Sequence, residues 1–275
     1  MEHSCRERKC FSMRKILGII FVVGFILAVV FGILGIKDMR EEAKHTKSST
    51  LVDKNIEGNI KNLNIESGSG DVKIKKGEKF HVKIIGPKDK VNAKADNNKG
   101  TLNISNSMKK KVISFNIFNN NENTIEVTVP HQLKNTKLNS YSLDTTITDL
   151  ESENTTLNND SGDITVKNSN LGKLTANNDS GGINIEKSKF KKGHFDNDSG
   201  DINVSNTPID IPMDIKNDSG DVNFSYDKAL KDTRINSKND SEDVNIERNE
   251  LKNGRVGNGT HVINIDNDSG DVTFN

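Results

Sequence analysis

The chain has 275 residues in which 39 Lys and Arg balance 39 Asp and Glu, so no basic surplus marks it as a nucleic-acid binder. Apolar residues are only 32% of the chain and aromatics 5%, which suits an elongated domain of thin units that each bury only their inward positions. Both cysteines, Cys5 and Cys10, lie near the start, which excludes disulfides and thiolate zinc sites from residues 37–275.

The first element is an uncharged run from Ile16 to Ile36. Its 21 residues, as a helix rising about 1.5 Å per residue, span about 30 Å, the thickness of a bilayer core. The run is too long for the apolar core of a cleaved signal peptide, and Gly32-Ile33-Leu34-Gly35-Ile36-Lys37 offers no Ala-x-Ala site. A lipoprotein needs a Cys just after the run, whereas Cys5 and Cys10 precede it. They read as reduced thiols, with acylation beside the membrane as the alternative. Arg6, Arg8, Lys9, Arg14 and Lys15 stand before the run, against Lys37, Arg40, Lys44 and Lys47 after it, a lean toward a cytoplasmic N-terminus. The expected organisation is a short cytoplasmic tail at 1–15, a single-pass anchor in the cell membrane at 16–36, a polar stalk at 37–55 and an extracytoplasmic C-terminal domain.

Residues 56–138 read as the opening β part of that domain, with longer strands joined by Lys/Asn/Gly loops. Leu63-Asn64-Ile65-Glu66-Ser67-Gly68-Ser69-Gly70-Asp71-Val72-Lys73-Ile74 is a strand, a tight turn and a second strand. Further strands are expected at Phe80–Ile84, Leu102–Ile104, Ile113–Ile117 and Ile125–Val129.

Regular repeats fill 139–275. One phrase recurs six times, from Asn159-Asp160-Ser161-Gly162-Asp163-Ile164 to Asn267-Asp268-Ser269-Gly270-Asp271-Val272. Its glycine position falls at 162, 181, 200, 220, 242 and 270, in steps of 19, 19, 20, 22 and 28 residues, each about one solenoid coil. Ser142-Leu143-Asp144 with Ile147 is a degenerate copy 19 residues before Gly162. Apolar-polar-apolar alternation flanks the phrase, as in Ile164-Thr165-Val166 and Ile183-Asn184-Ile185, which is the period of a half-buried strand. Asn and Asp can bond their own backbone in the turn, and Gly accepts positive φ without steric cost.

Stacked coils rather than separate hairpins are expected, because the outward position between the two apolar residues is Thr165, Asn184, Asn203, Asn223, Asn245 and Thr273, never charged. Like charges directly opposite one another destabilise a sheet, whereas stacked Asn and Thr can hydrogen-bond along a ladder. The fold class is therefore all-β, a single-coil-repeat β-solenoid following one N-terminal transmembrane α-helix.

These features together carry a resemblance. The single span, the opening strand at Leu63–Ile74, Val127-Thr128-Val129-Pro130 in mid-domain and the Asn-Asp-Ser-Gly-Asp coils resemble the bacterial "putative adhesin" β-strand-repeat family of unknown function over residues 56–275. Membrane-anchored relatives occur in Gram-positive bacteria, some encoded with cell-envelope stress systems of the Lia type. The resemblance implies an envelope location and a part in the response to envelope damage, and supplies no catalytic residues. Two copies depart from the phrase, with Gly182 in place of Asp and Glu242 in place of Gly.

Does the phrase do chemistry as well as turn the chain? Stacked Asp163, Asp201, Asp221, Asp243 and Asp271, with Asp160, Asp179, Asp198, Asp218, Asp240 and Asp268 beside them, form an acidic ridge. Neighbouring carboxylates about 5 Å apart repel by roughly 1 kcal/mol even in water, and calcium is the hard cation that relieves this. The other reading is structural, with Asp and Asn as turn formers and Lys167, Lys187 and Lys216 answering the charge. Asn178, Asn197, Asn217, Asn239 and Asn267 also fit the Asn-x-Ser glycosylation pattern, which the turn explains without glycans.

A search for catalytic motifs finds none: His3, His45, His81, His131, His194 and His261 are scattered, with no His-Glu-x-x-His, Gly-x-Ser-x-Gly or phosphate-loop pattern. β-Solenoids can host carbohydrate-active enzymes that use clustered carboxylates, but here the carboxylates recur in every coil rather than in one unique cluster. The leading expectation is a non-catalytic envelope-associated binding module whose partner is cell-wall polymer, glycan or anionic lipid. The alternative is a membrane sensor or accessory protein working through a neighbouring membrane protein. Val272-Thr273-Phe274-Asn275 reads as a terminal strand, either with an open edge for self-association or shielded by the long Glu247–Gly259 insertion.

Overall fold

Period-two alternation makes each short segment a strand with one buried face, and the computed structural model shows how those faces are brought together. It describes residues 48–109, 123–141, 143–239 and 244–275. The anchor expected at 16–36, Cys5, Cys10, the strand expected at 113–117, Ser142 and the turn expected at 240–243 with Asp240, Glu242 and Asp243 lie outside those residues. Among the described residues no helix is long and apolar enough to cross a membrane. The described residues of the unit that begins at Ser48 are all-β apart from one 3-10 turn at Asn249–Leu251.

Its opening part holds β1 (Ser48–Asn55), β2 (Asn62–Ser67), β3 (Asp71–Lys76), β4 (His81–Pro87), β5 (Val91–Asn98), β6 (Thr101–Met108) and β7 (Thr124–Val129). The coils follow in pairs, β8 (Leu133–Ser140) with β9 (Thr145–Thr148), β10 (Ser152–Asn159) with β11 (Ile164–Lys167), and β12 (Lys173–Asn178) with β13 (Ile183–Glu186). Next come β14 (Lys192–Asn197) with β15 (Ile202–Ser205), β16 (Met213–Asn217) with β17 (Val222–Ser225), β18 (Thr233–Asn239) with β19 (Val244–Ile246), and β20 (His261–Asn267) with β21 (Val272–Phe274).

The two strands of each pair belong to different sheets, so the Asn-Asp-Ser-Gly turn carries the chain from a 10-stranded sheet to an 11-stranded one. This is a solenoid coil and not a hairpin. Successive coils pair in parallel with equivalent residues aligned, Ile164 with Ile183, Ile183 with Ile202 and Ile202 with Val222. The inward residues of both sheets interleave into one core, with Ile164, Val166, Ile183, Ile202, Val204 and Val222 fully buried. Burying each such side chain contributes about 1.5–3 kcal/mol. Sizes are matched between neighbouring coils. Gly193 stands where the coil before has Leu174, and the room goes to Phe195, which stands where that coil has Ala176. A Cβ on Gly193 would lie 3.0 Å from the Phe195 ring.

The opening end departs from the solenoid rule in a useful way. β4 runs antiparallel against β7, and β1 runs antiparallel against β4. In the other sheet β5 runs antiparallel to β6 through a two-residue turn, with Lys99 and Gly100 both at positive φ as a type I′ turn requires. These strands cap the stack at that end. Residues 48–55, read from sequence as the end of a polar stalk, are the edge strand β1; its pairing with β4 decides this, and its sparse apolar residues are what an edge strand shows.

Chain order and spatial order also differ at both ends. β3, the first phrase copy, pairs in parallel with both β7 and β9, so the first coil sits inside the stack. At the far end β21 lies between β17 and β19, and β20 lies between β16 and β18. The final segment is therefore not an open edge, as the sequence reading allowed, and the coil before it in sequence covers it. The Glu247–Gly259 insertion packs on β18 instead, where the Ile235 amide donates to the Gly254 carbonyl at 2.8 Å and Val256 donates to Thr233 at 2.8 Å. Arg248 from the insertion, its side chain only 13% exposed, donates to the carbonyls of Tyr226, Lys228 and Asn275 at 2.7–2.9 Å and so ties the last strand down.

This order has a measurable consequence. In hydrogen exchange the amides of Val272–Phe274 should exchange more slowly than those of Val244–Ile246, because β21 is paired on both sides whereas β19 is the outer strand. Faster exchange at 272–274 would overturn the inserted order.

Candidate functional site

The turn corner carries the residues singled out by sequence. Each turn glycine has a positive φ, and at Gly200 (φ 117°) an added Cβ would lie 2.5 Å from the Gly181 carbonyl oxygen of the adjacent coil. The degenerate copy is present where expected, with Thr145 and Ile147 paired to Ile164 and Val166. There Leu143 occupies the glycine position at φ 78°, a conformation that costs an L-residue about 1–2 kcal/mol.

The turn asparagines point inward. Asn178, Asn197, Asn217 and Asn267 are at most 2% exposed. Asn197, Asn217 and Asn267 each donate Nδ2 to the carbonyl three residues on, at 2.7 Å, closing the turn. Asn197 also donates to Asn217 Oδ1 at 3.2 Å, and Asn217 to Asn267 Oδ1 at 3.0 Å, so the amides form a ladder inside the corner. Burial of these four Nδ2 groups closes them to glycan attachment in the folded protein.

The acidic ridge runs outside the same corner, and the carboxylates of Asp144, Asp163, Asp201 and Asp221 are engaged in holding the stack. The Asp163 amide donates to Asp144 Oδ1 at 2.9 Å, Gly182 to Asp163 Oδ1 at 2.8 Å, Asp221 to Asp201 Oδ1 at 2.9 Å and Asp271 to Asp221 Oδ1 at 2.9 Å. Each carboxylate thus accepts a backbone N–H from the next coil, a charge-assisted bond that a neutral side chain makes less well. Gly182, lacking a carboxylate, interrupts the series before Asp201. Asp243 lies outside the described residues. Among those described, no three His, Cys, Asp or Glu side chains converge as metal ligands. Of the lysines expected to answer the ridge, Lys216 does so, 2.6 Å from Asp218. Lys167 and Lys187 turn instead to Glu186 on the 11-stranded sheet, at 3.4 and 3.0 Å, and hold its carboxyl below its usual range.

Both outer faces carry polar ladders. On the 11-stranded sheet Thr146, Thr165, Asn184, Asn203, Asn223, Thr273 and Asn245 align in register. Asn203 donates to Asn184 at 3.0 Å and Asn223 to Asn203 at 3.1 Å. On the other sheet Asn177 donates to Asn158 and Asn158 to Asn139, both at 2.8 Å. The histidines are dispersed: His81 pairs with Asp53 at 2.8 Å, His131 packs edge-on to Phe80, and His261 lies beside Asp232.

Sequence reasoning missed the second corner, where the chain returns from the 11-stranded to the 10-stranded sheet. Asp149, Asn168, Lys187 and Asn206 all adopt φ of 48–55° there, and Ser169, Ser188 and Thr207 follow them as buried hydroxyls. The 19-residue step was visible at these positions, but three different residue types among the four hid the equivalence. Farther along, Asp210 (φ 56°) braces the Leu230–Thr233 stretch. Burial opposes its ionisation, but bonds from the Asp232 amide, the Thr233 hydroxyl and the Lys231 amide at 2.8–3.0 Å outweigh that and hold its carboxyl below the ordinary value.

The fold and its ladders define a two-sheet β-solenoid with equivalent polar residues exposed once per coil. The chain belongs to the family described as Toastrack DUF4097, which matches residues 60–275. Solved structures similar to it include a "putative cell adhesion protein" from Clostridium sporogenes, 15% identical, covering 83% of this chain and 98% of that one with a TM-score of 0.36. A "putative adhesin" from Bacteroides fragilis is 12% identical over 83% of this chain and 97% of that one, TM-score 0.46. A "putative lipid binding protein" from Parabacteroides distasonis is 13% identical over 83% and 97%, TM-score 0.35. No curated protein matches the chain.

Two substitutions test the corner. Asn217→Ala should lower the unfolding free energy by about 1–3 kcal/mol in urea titration, and Asn217→Asp by roughly 3 kcal/mol or more, because a buried charge replaces two donated bonds. Since Asp210 has a lowered folded pKa, its contribution is present above the unfolded carboxyl pKa and is lost as pH falls through the folded value. Asp210→Asn should therefore flatten the acid side of the stability curve, and an unchanged pH dependence would remove Asp210 as a contributor.

Proposed function

We propose that the protein is a non-catalytic, membrane-anchored binding module of the bacterial cell envelope, engaged in the response to envelope damage. The observation that supports this reading most is the alignment of one outward polar side chain per coil, from Thr146 through Asn223 to Asn245, across seven strands of the 11-stranded sheet. Strand spacing sets a repeat of about 4.8 Å along that row. Such a row suits a partner that is itself repetitive, held through many weak contacts rather than one deep pocket. The anchor at Ile16–Ile36, read from sequence, would hold the domain at the outer membrane surface, within reach of wall polymer, glycan or anionic lipid. The ridge and histidines lend no support to an enzyme, since the ridge carboxylates recur in coil after coil and bond the backbone.

The deciding experiment is co-sedimentation of the purified protein with isolated cell wall, teichoic polymer and anionic vesicles, each with calcium or chelator. Retention on one of these is expected. Loss of retention with chelator would make the acidic ridge metal-dependent. Absence of retention on every fraction removes the binding reading in favour of a sensor acting through a protein partner.

A further inference from the structure

The return corner, opposite the acidic ridge, holds a cleft of about 510 Å³. Three successive coils line it, with Lys76 of β3 at one end, and because equivalent residues stack, its chemistry changes stepwise along the axis. Asp149, Asn168 and Lys187 occupy one column, all in the left-handed conformation. Glu151, Asn170 and Lys189 occupy the next, joined by parallel bridges. One rim is thus acidic, the floor consists of neutral amides, and the other rim is basic.

Two strand spacings, about 10 Å, separate the backbones of the two rims, and the side chains reach in from both. Asp149, Asn168, Asn170, Lys187 and Lys189 are exposed, so their charges and amides are open to a ligand. Lys76, 2.8 Å from Glu151, and Glu186, 3.0 Å from Lys187, balance the rims without removing the gradient between them. An anion or a cation alone gains at one rim and is repelled at the other. A ligand that carries both charges gains at both.

We propose that this cleft binds a zwitterionic group, an ammonium and a phosphate a few atoms apart, with the ammonium at Asp149 and Glu151 and the phosphate at Lys187 and Lys189. An aminoethyl phosphate has this chemistry, and so does an amino-acid ester on a polyol-phosphate chain. A membrane lipid supplies the first and a wall polymer the second. Exposed ion pairs are individually weak, so a single group binds weakly and a surface that displays many of them binds well. The assignment deepens the envelope-binding reading and rests on it for the source of the ligand, not for the existence of the site.

The test uses the full chain in uncharged maltoside micelles, titrated with phosphoethanolamine, phosphocholine, ethanolamine and inorganic phosphate while backbone amide resonances are followed. Phosphoethanolamine should shift residues 149–151, 168–170 and 187–189 saturably, about fivefold more tightly than ethanolamine or phosphate, an advantage that contacts at two rims supply. Phosphocholine, whose ammonium has no N–H to donate, should bind more weakly. Asp149→Asn with Glu151→Gln should erase the advantage over phosphate, and Lys187→Gln with Lys189→Gln the advantage over ethanolamine; all four side chains are surface-facing, and unchanged thermal unfolding would confirm that the variants fold. Equal affinity for phosphate alone, shifts confined to other residues, or no saturable shift would each overturn the proposal.

Retention on phosphatidylethanolamine vesicles, against retention on wall polymer before and after mild base removes its esters, distinguishes the sources. Envelope retention unaltered by the cleft variants, without phosphoethanolamine binding, defeats the cleft alone. Phosphoethanolamine binding without envelope retention supports the cleft and defeats the envelope reading.

Discussion

Everything in this molecule depends on equivalent residues lying directly above one another, about 4.8 Å apart, in parallel register. That spacing makes each side chain the neighbour of its own counterpart. Charges at such positions would accumulate repulsion, whereas amides, hydroxyls and aliphatic groups gain from stacking. The chain answers with Ile and Val inside, Asn inside the turn, and Asn or Thr outside. Where carboxylates do recur, those of Asp163, Asp201 and Asp221 each accept a backbone N–H from an adjacent coil, the last from the Asp271 amide, which offsets part of the repulsion.

A stack of this kind has two ends that must not invite further strands. At one end antiparallel strands β1, β4 and β5 depart from the coil pattern and close the sheets. At the other the order is inverted, with the regular final coil inside and the irregular coil of β18 and β19 outside. The outer coil can tolerate irregularity because it has only one neighbour to match. Its Val244 is 40% exposed, whereas Val272, at the same position in the coil it covers, is fully buried. Phe224 and Phe274 stack at 4.4 Å within the core as a direct result of that insertion.

The two corners divide the chemistry between them. The first turns tightly, so most copies keep Asn-Asp-Ser-Gly-Asp there, and its acidic character is bound up with the backbone. The second has more room and tolerates Asp, Asn and Lys at one stacked position, because each of these residues can hold the required positive φ there. Variety is therefore concentrated where the architecture leaves it free, and that is where the proposed ligand would find distinguishing features. Uniform rows on the sheet faces suit repetitive contact, and the graded cleft suits a single chemical group.

The coil is legible in the residues alone: its length from the 19- and 20-residue steps, its buried faces from the alternation at Ile164-Thr165-Val166, its turn from Asn-Asp-Ser-Gly, and its outward ladder from the absence of charge at Thr165, Asn184 and Asn203. These are local or strictly periodic signals, and stacking turns a period directly into a contact. Tertiary structure decided what periodicity cannot express. The sparse apolar residues of Ser48–Asn55 fit a polar stalk as well as an edge strand, and its pairing with residues 81–87, far along the chain, is what makes it a strand. Nothing in the order of the copies shows that 261–274 inserts inside 233–246, because either order offers an aligned Val, then Asn or Thr, then Phe or Ile. The ridge and cleft divide the same way: the recurrence of Asp was legible, but whether its oxygens face a cation or the next coil's N–H, and which charged residues meet across three return turns, depends on how the coils are seated against one another.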